Sequence, residues 1–139
     1  MMVTRKQIVQ EVMTYVGTPF RHQGRLKGRG VDCVGLIIGV AHALQLSAFD
    51  AKGYGRSPIS EMMMAVLMKE LEMVDRPPKP GDVLYMAVPD IPQHLVMVVD
   101  NGYVVHSTSL MGKVVHHALP EDWRSKIHGV FQFRGLEDC

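Results

Sequence analysis

Apolar positions along this chain follow a helical period in the first half and an alternating one in the second. Thr4-Arg5-Lys6-Gln7 fits a capping box, Ile8, Val12, Tyr15 and Val16 recur at helical spacing, and Gly17-Thr18-Pro19 ends the run. These signals predict a first helix over residues 4–16. Val31 to Leu46 is apolar almost all the way round, behind Asp32, a good N-cap, and Cys33. A helix reads that way when it is buried on most sides. Ser60 can cap a third helix, with Met63, Val66, Leu67, Leu71 and Val74 on its inner face. The triplet Met62-Met63-Met64 reads as core and its margin rather than as an adaptable binding surface. Phe20 to Gly30, with three glycines among basic residues, is a loop delivering the chain to the Cys33 helix, and Gly53, Gly55 and Pro58 mark a second irregular stretch.

Pro77, Pro78, Pro80 and Gly81 close the helical half, and the pattern changes at Asp82. From there residues 82–88, 95–99, 103–107, 114–119 and 129–134 read as short strands, rich in Val and separated by turn signals. Pro120-Glu121-Asp122-Trp123 opens a short helical turn before the last of them. Helices first and strands second predict an α+β fold with an antiparallel sheet. No repeat or long linker divides the chain, so residues 1–139 are expected to form one domain.

Composition narrows the function. A formal charge of +1 over 139 residues, with the signs mixed, argues against a nucleic-acid binder. Arg21, Arg25, Lys27 and Arg29 make one local basic loop, which reads as solvated. Two cysteines, one of them the terminal Cys139, give neither a disulfide framework nor paired metal-ligand spacing, so neither metal nor cofactor is expected. No apolar run suits a membrane span, and the N-terminus lacks a basic-then-apolar signal pattern. The expectation is a chain made in the cytoplasm without a signal peptide.

Candidate chemistry begins at Cys33. At a helix start, unpaired backbone N–H groups and the positive end of the dipole favour thiolate over thiol, although a lone cysteine on an apolar helix is often inert packing. His94 opens the strand 95–99, Asp100-Asn101-Gly102 is a turn, and His106 lies on the return strand. A two-residue turn at Asn101-Gly102 would pair 100 with 103 and put the two histidines on opposite faces. A three-residue loop with Gly102 in the left-handed bulge position would pair 99 with 103, set His106 opposite Val96 and bring it diagonal to His94 on one face. Both turns suit the residues. A cysteine at a helix start plus two histidines able to share a face suggests a nucleophile, a base and an orienting group.

Thr18-Pro19-Phe20, Gly30-Val31-Asp32-Cys33-Val34-Gly35-Leu36, Pro80-Gly81-Asp82-Val83, His94 with its apolar strand, and Asn101-Gly102 through His106 fall in the order and spacing of the NlpC family. The chain thus resembles a group of papain-like cell-wall cysteine peptidases, over roughly Thr18 to Phe133. With its basic loop and Trp123 it looks most like the branch found in phage tails and prophages, which would make phage tail proteins its partners and the virion its place of action. The resemblance assigns Cys33 as nucleophile, His94 as general base and His106 as third polar residue. It departs from the family at Phe20, where Tyr is usual, and at Val34, where Ser is usual.

The chemistry implied is acyl transfer to water, with the peptide stem of peptidoglycan as substrate. The backbone N–H of Cys33 is the natural oxyanion donor, and His22 or Gln23 in the preceding loop are candidates for a second; Phe20 and Asp32 complete the candidate substrate-side set. Two other classes stand beside this one. A papain-like acyltransferase acting on lipids would want an apolar groove beside Cys33, and a non-catalytic tail-assembly subunit would make the three residues incidental. A metal site of Cys33, His94 and His106 lacks the usual spacing. His42, His116, His117 and His128 are read as packing or surface.

Overall fold

The computed structural model describes residues 3–51, 54, 60–88 and 91–137. Gly53, Gly55, Pro58 and Cys139, and the side chains of Met62 and Met63, lie outside the described set. Strand β1 (Val3–Thr4) leads into helix α1 (Arg5–Met13), where the capping box forms: Gln7 N–H donates to Thr4 Oγ1 at 3.2 Å, and Thr4 N–H donates to Gln7 Oε1 at 2.8 Å. The helix stops three residues short of the expected end, yet Tyr15 is still buried from the turn that follows.

A short hairpin, β2 (Arg25–Leu26) and β3 (Gly30–Val31), delivers the chain to helix α2 (Cys33–Ala43). Asp32 caps α2 by accepting the Gly35 N–H at 2.7 Å, and Val34, Leu36, Ile37, Ile38, Val40 and Ala41 are buried along it. Gly35 cannot be larger: a Cβ there would stand 2.0 Å from the carbonyl oxygen of Gly24, so the helix start packs directly on the preceding loop. Helix α3 (Ser60–Glu70) begins where Ser60 was expected to start it.

The expected third helix is too long by four residues. Leu71 and Val74 belong to strand β4 (Leu71–Val74), which pairs antiparallel with β9 (Ile127–Phe133). Leu67 and Leu71 sit at helical spacing and both are buried, so the pattern there fitted either element; the open edge of β9 decided it. The sheet therefore begins before Asp82.

With β5 (Val83–Val88), β6 (Ile91–Asp100), β7 (Tyr103–Thr108) and β8 (Lys113–Ala118) these strands form one sheet in the order β4-β9-β5-β6-β7-β8. Every neighbouring pair in it is antiparallel. One face, with Val83, Leu95, Met97, Val105 and Phe131, packs on α1 and α2. The other, with Leu84, Met86, Val96 and Val104, is covered by a 3-10 helix (Glu121–Lys126) carrying Trp123. A last short strand, β10 (Leu136–Glu137), runs parallel to β1 outside the main sheet.

The hairpin between β6 and β7 takes the register of the bulged alternative, with Gly102 left-handed as expected, but the extra residue falls on β6. Asp100 pairs with Tyr103 across Asn101-Gly102, but the register then shifts, so that Val98 pairs with Val104 and Met97 with Val105. The extra residue on β6, Val99, is a β-bulge; carried past the last pair, the same constant sum would bring His106 level with Val96. Asn101 is not left-handed while Gly102 has φ +80°, so the turn is not the type I′ form that would carry the pairing on without a bulge. Gly102→Val would force a β-branched residue into that conformation and should destabilise the fold by about 1 kcal/mol or more. Because the strain falls between His94 and His106, activity should drop more than the melting temperature suggests. Unchanged kcat in a measurably destabilised variant would contradict this.

Candidate active site

Strands β6 and β7 part company at the site. Their pairing ends at Met97 with Val105, and residues at the start of α2 meet both strands beyond it. There the hydroxyl of Ser107 donates to the Val31 carbonyl at 2.6 Å, and the backbone N–H of Leu95 points at the Cys33 sulfur. The N–H groups of Val34 and of Cys33 itself lie against the same sulfur. Cys33 is the first residue of α2, half-buried, and its thiol is held one residue along β6 from His94.

His94 is buried inside β6, opposite Met86, rather than at the strand's opening. Its Nε2 lies 2.6 Å from Nδ1 of His106, the rings edge-on at 4.8 Å between centroids. His106 is buried too, and its Nε2 lies 2.7 Å from Nε2 of His117 on β8. His117 was read from the sequence as packing or surface; it is the outer member of a line of three histidines across β6, β7 and β8. It pairs with Val104, which places it diagonal to His106 on the same face. Trp123 covers the outer two, its ring 5.7 Å from each. A four-residue loop between β7 and β8, treated by the same parity as His94 and His106, would have revealed His117.

Burial governs the ionisation of these groups. It pushes the Cys33 thiol up to about 11, with the Leu95 N–H opposing it and the Asp32 charge adding to it. Burial also lowers His94, with the neighbouring His106 acting in the same sense, and lowers His106, with His117 beside it. The sequence suggested a thiolate held by the helix start. That effect is worth about 0.3–1 kcal/mol, under one pKa unit, whereas burial can reach several units. Burial wins, and the substrate-free site holds a neutral thiol beside neutral imidazoles. Alkylation of Cys33 should therefore be slow at mildly acidic pH and accelerate with pH through the neutral and alkaline range. A rate already on a plateau between pH 5 and 8, followed by mass spectrometry, would instead reveal a preformed ion pair.

The other candidate residues separate into two kinds. Asp32 is committed to structure: besides capping α2 it accepts the Gln23 N–H at 2.8 Å and the Tyr54 hydroxyl at 2.6 Å, and a carboxylate offers no proton to an oxyanion. The Gln23 side chain donates to the Tyr54 carbonyl at 2.7 Å, and His22 Nδ1 stands 3.9 Å from Asp32, so both are turned to this cluster. Phe20 is half-buried, bridged to Val31. Tyr54 escaped the sequence reading because it sits in the irregular stretch with no period to place it. Arg25, from the basic loop, is equally occupied, with Asp50 at 2.7 Å, the Tyr54 hydroxyl at 2.9 Å and the Ala51 carbonyl at 2.6 Å. Lys27 pairs with Glu11 at 2.8 Å. The basic loop is thus partly a brace for the helix start. Among the described residues, no group of three or more His, Cys, Asp or Glu could hold a metal ion. No helix among them is long and apolar enough to cross a membrane.

A family model described as the NlpC/P60 family matches residues 17–131. The chain belongs to the NlpC/P60 family. Solved structures agree on the fold. The NlpC/P60 domain of the peptidoglycan hydrolase SagA superposes with a TM-score of 0.64 at 22% identity, covering 94% of this chain and all of that one. NlpC2 from Trichomonas vaginalis gives 0.69 at 16% identity over 94% of this chain and 47% of its own. The peptidoglycan hydrolase RipB from Mycobacterium tuberculosis gives 0.58 at 18% identity, over 96% and 67%. This NlpC/P60 chain thus spans the whole of one such domain and under half of another relative. No curated protein matches it.

Proposed function

We propose that this NlpC/P60 chain is a cysteine peptidase that hydrolyses an amide bond in the peptide stem of peptidoglycan. The observation that carries the reading is a thiol at a helix start, held on the N–H of Leu95, the residue after His94, whose Nε2 is in turn held by a second histidine. Family membership and the neighbours described as peptidoglycan hydrolases support the substrate.

Because the resting thiol is neutral, the base acts in step with attack. As substrate displaces water, the Cys33 proton passes to Nδ1 of His94 while sulfur bonds to the carbonyl carbon. The oxyanion is received by the N–H groups of Cys33 and Val34, first-turn donors that lie against the sulfur and turn to the new oxygen as the thiol is consumed. His94 then gives its proton to the leaving amine, and the thioester is hydrolysed by water that His94 deprotonates. His106 holds the His94 ring throughout.

Purified peptidoglycan incubated with the protein should release fragments cut within the stem, identified by mass. Intact stems would overturn the reading. An apolar cavity against α2 is lined by Val34, Ile37, Leu95 and Phe133 but not by Cys33, so a second class, transfer of a lipid acyl chain through the same thiol, rests on the sequence resemblance. Turnover of an acyl phospholipid in place of the stem peptide would select it. The two features that suggested a phage-tail branch, the basic loop and Trp123, both have structural roles here, and a tail partner rests on the sequence resemblance alone.

A further inference from the structure

The histidine line has a direction, and its outer end sets it. Nδ1 of His117 lies 2.7 Å from the carbonyl oxygen of Ala118. A carbonyl only accepts, so this nitrogen carries the hydrogen. In the neutral ring Nε2 of His117 is then an acceptor, and the hydrogen between it and His106, 2.7 Å apart, belongs to Nε2 of His106. Nδ1 of neutral His106 becomes the acceptor in turn, and the hydrogen in its 2.6 Å contact belongs to Nε2 of His94. One ring nitrogen is left: Nδ1 of neutral His94, which is then the acceptor end of the line.

We infer that His117 is a positioning residue, which acts through His106 to hold His94 in the tautomer whose Nδ1 can take the Cys33 proton. The inference deepens the peptidase reading and rests on it for the identity of the base. With the opposite tautomer, Nδ1 of His94 would already carry a hydrogen and could accept nothing from sulfur. The line also serves the charged state. Once His94 holds the extra proton as imidazolium, it donates Nε2–H to His106, and both downstream rings keep their acceptor ends turned towards it, so no group has to reorient. Trp123 lies edge-on against both outer rings and keeps the line from water along much of its length. His117 itself is half-buried, so replacing it opens no large cavity.

The test reads tautomers directly. Long-range 1H–15N spectra of the neutral wild-type protein should show hydrogen on Nε2 of His94, Nε2 of His106 and Nδ1 of His117. His117→Phe keeps an aromatic ring under Trp123 but removes the acceptor, and should give mixed tautomers at His94 and His106 with a loss in kcat of about tenfold, KM little changed, the scale on which outer hydrogen-bond partners act. His117→Gln, whose amide oxygen can reach the place of Nε2, should restore both the spectrum and most of the rate. The inference is overturned if wild-type His94 carries its hydrogen on Nδ1, or if His117→Phe leaves tautomers and kcat unchanged. The spectra need no substrate. A chain with the expected tautomers but no action on peptidoglycan would therefore overturn the peptidase reading and leave the tautomer assignment standing.

Discussion

Cys33→Ala should lower kcat for stem-peptide cleavage by about 10⁴-fold or more, leaving only what binding and oxyanion contacts supply. His94→Ala should cost nearly as much, since a neutral thiol without a base has no ready way to lose its proton. The double variant should be scarcely worse than either single one, because the two act as a unit. His106→Ala should leave measurable activity: the base survives but is free to rotate and to exchange tautomers. All four variants should melt as cooperatively as the parent, checked by circular dichroism. Stem cleavage by the Cys33 variant at a rate near that of the parent would remove the thiol from the mechanism.

Asp82→Ala should cost about 3–5 kcal/mol of stability, the range for removing one partner of a buried ion pair. Asp82 is wholly buried at the start of β5, where it accepts from Arg5 at 2.8 Å, from Arg76 at 2.7 and 3.3 Å and from the Lys79 N–H at 2.8 Å. Both guanidiniums also reach Gln132 on β9, so the carboxylate is the point through which α1, the segment before β5 and the sheet are joined. Its removal leaves two cations facing each other in a place water reaches poorly. A loss on that scale is a large part of the 5–15 kcal/mol that holds a typical domain together. Urea unfolding reads it, and the variant that remains folded at low temperature should cleave at the parental rate, because the cluster's partners are Arg5, Arg76, Lys79 and Gln132 and none of them is a member of the candidate site. A loss below about 1 kcal/mol would mean that the two arginines find water or other partners.

How far the sequence could be read depended on whether a feature was local. The cap at Asp32, the buried face behind Cys33 and the antiparallel strands were legible because each rests on residues close together in the chain. Strand β4 was not, since Leu67 and Leu71 suit a helix equally well and only the edge of β9, some sixty residues on, resolves the choice. The site shows the same division. Parity narrowed His94 and His106 to two arrangements, and the bulged one with Gly102 left-handed gave the observed register, although the extra residue is Val99 on β6. His117 needed one more step of the same counting. Thiol ionisation could not be read at all, because the helix start is visible in the sequence and the degree of burial is not.

The central claim is that Cys33 forms a covalent bond to the acyl part of its substrate, and intact-protein mass spectrometry after rapid acid quench tests it most directly. Mixed with a peptidoglycan stem peptide, the parent protein should gain the mass of the acyl fragment, mapped to Cys33 as a thioester that hydroxylamine removes. Cleavage of the peptide with no such adduct, continuing undiminished in Cys33→Ala, would contradict the account.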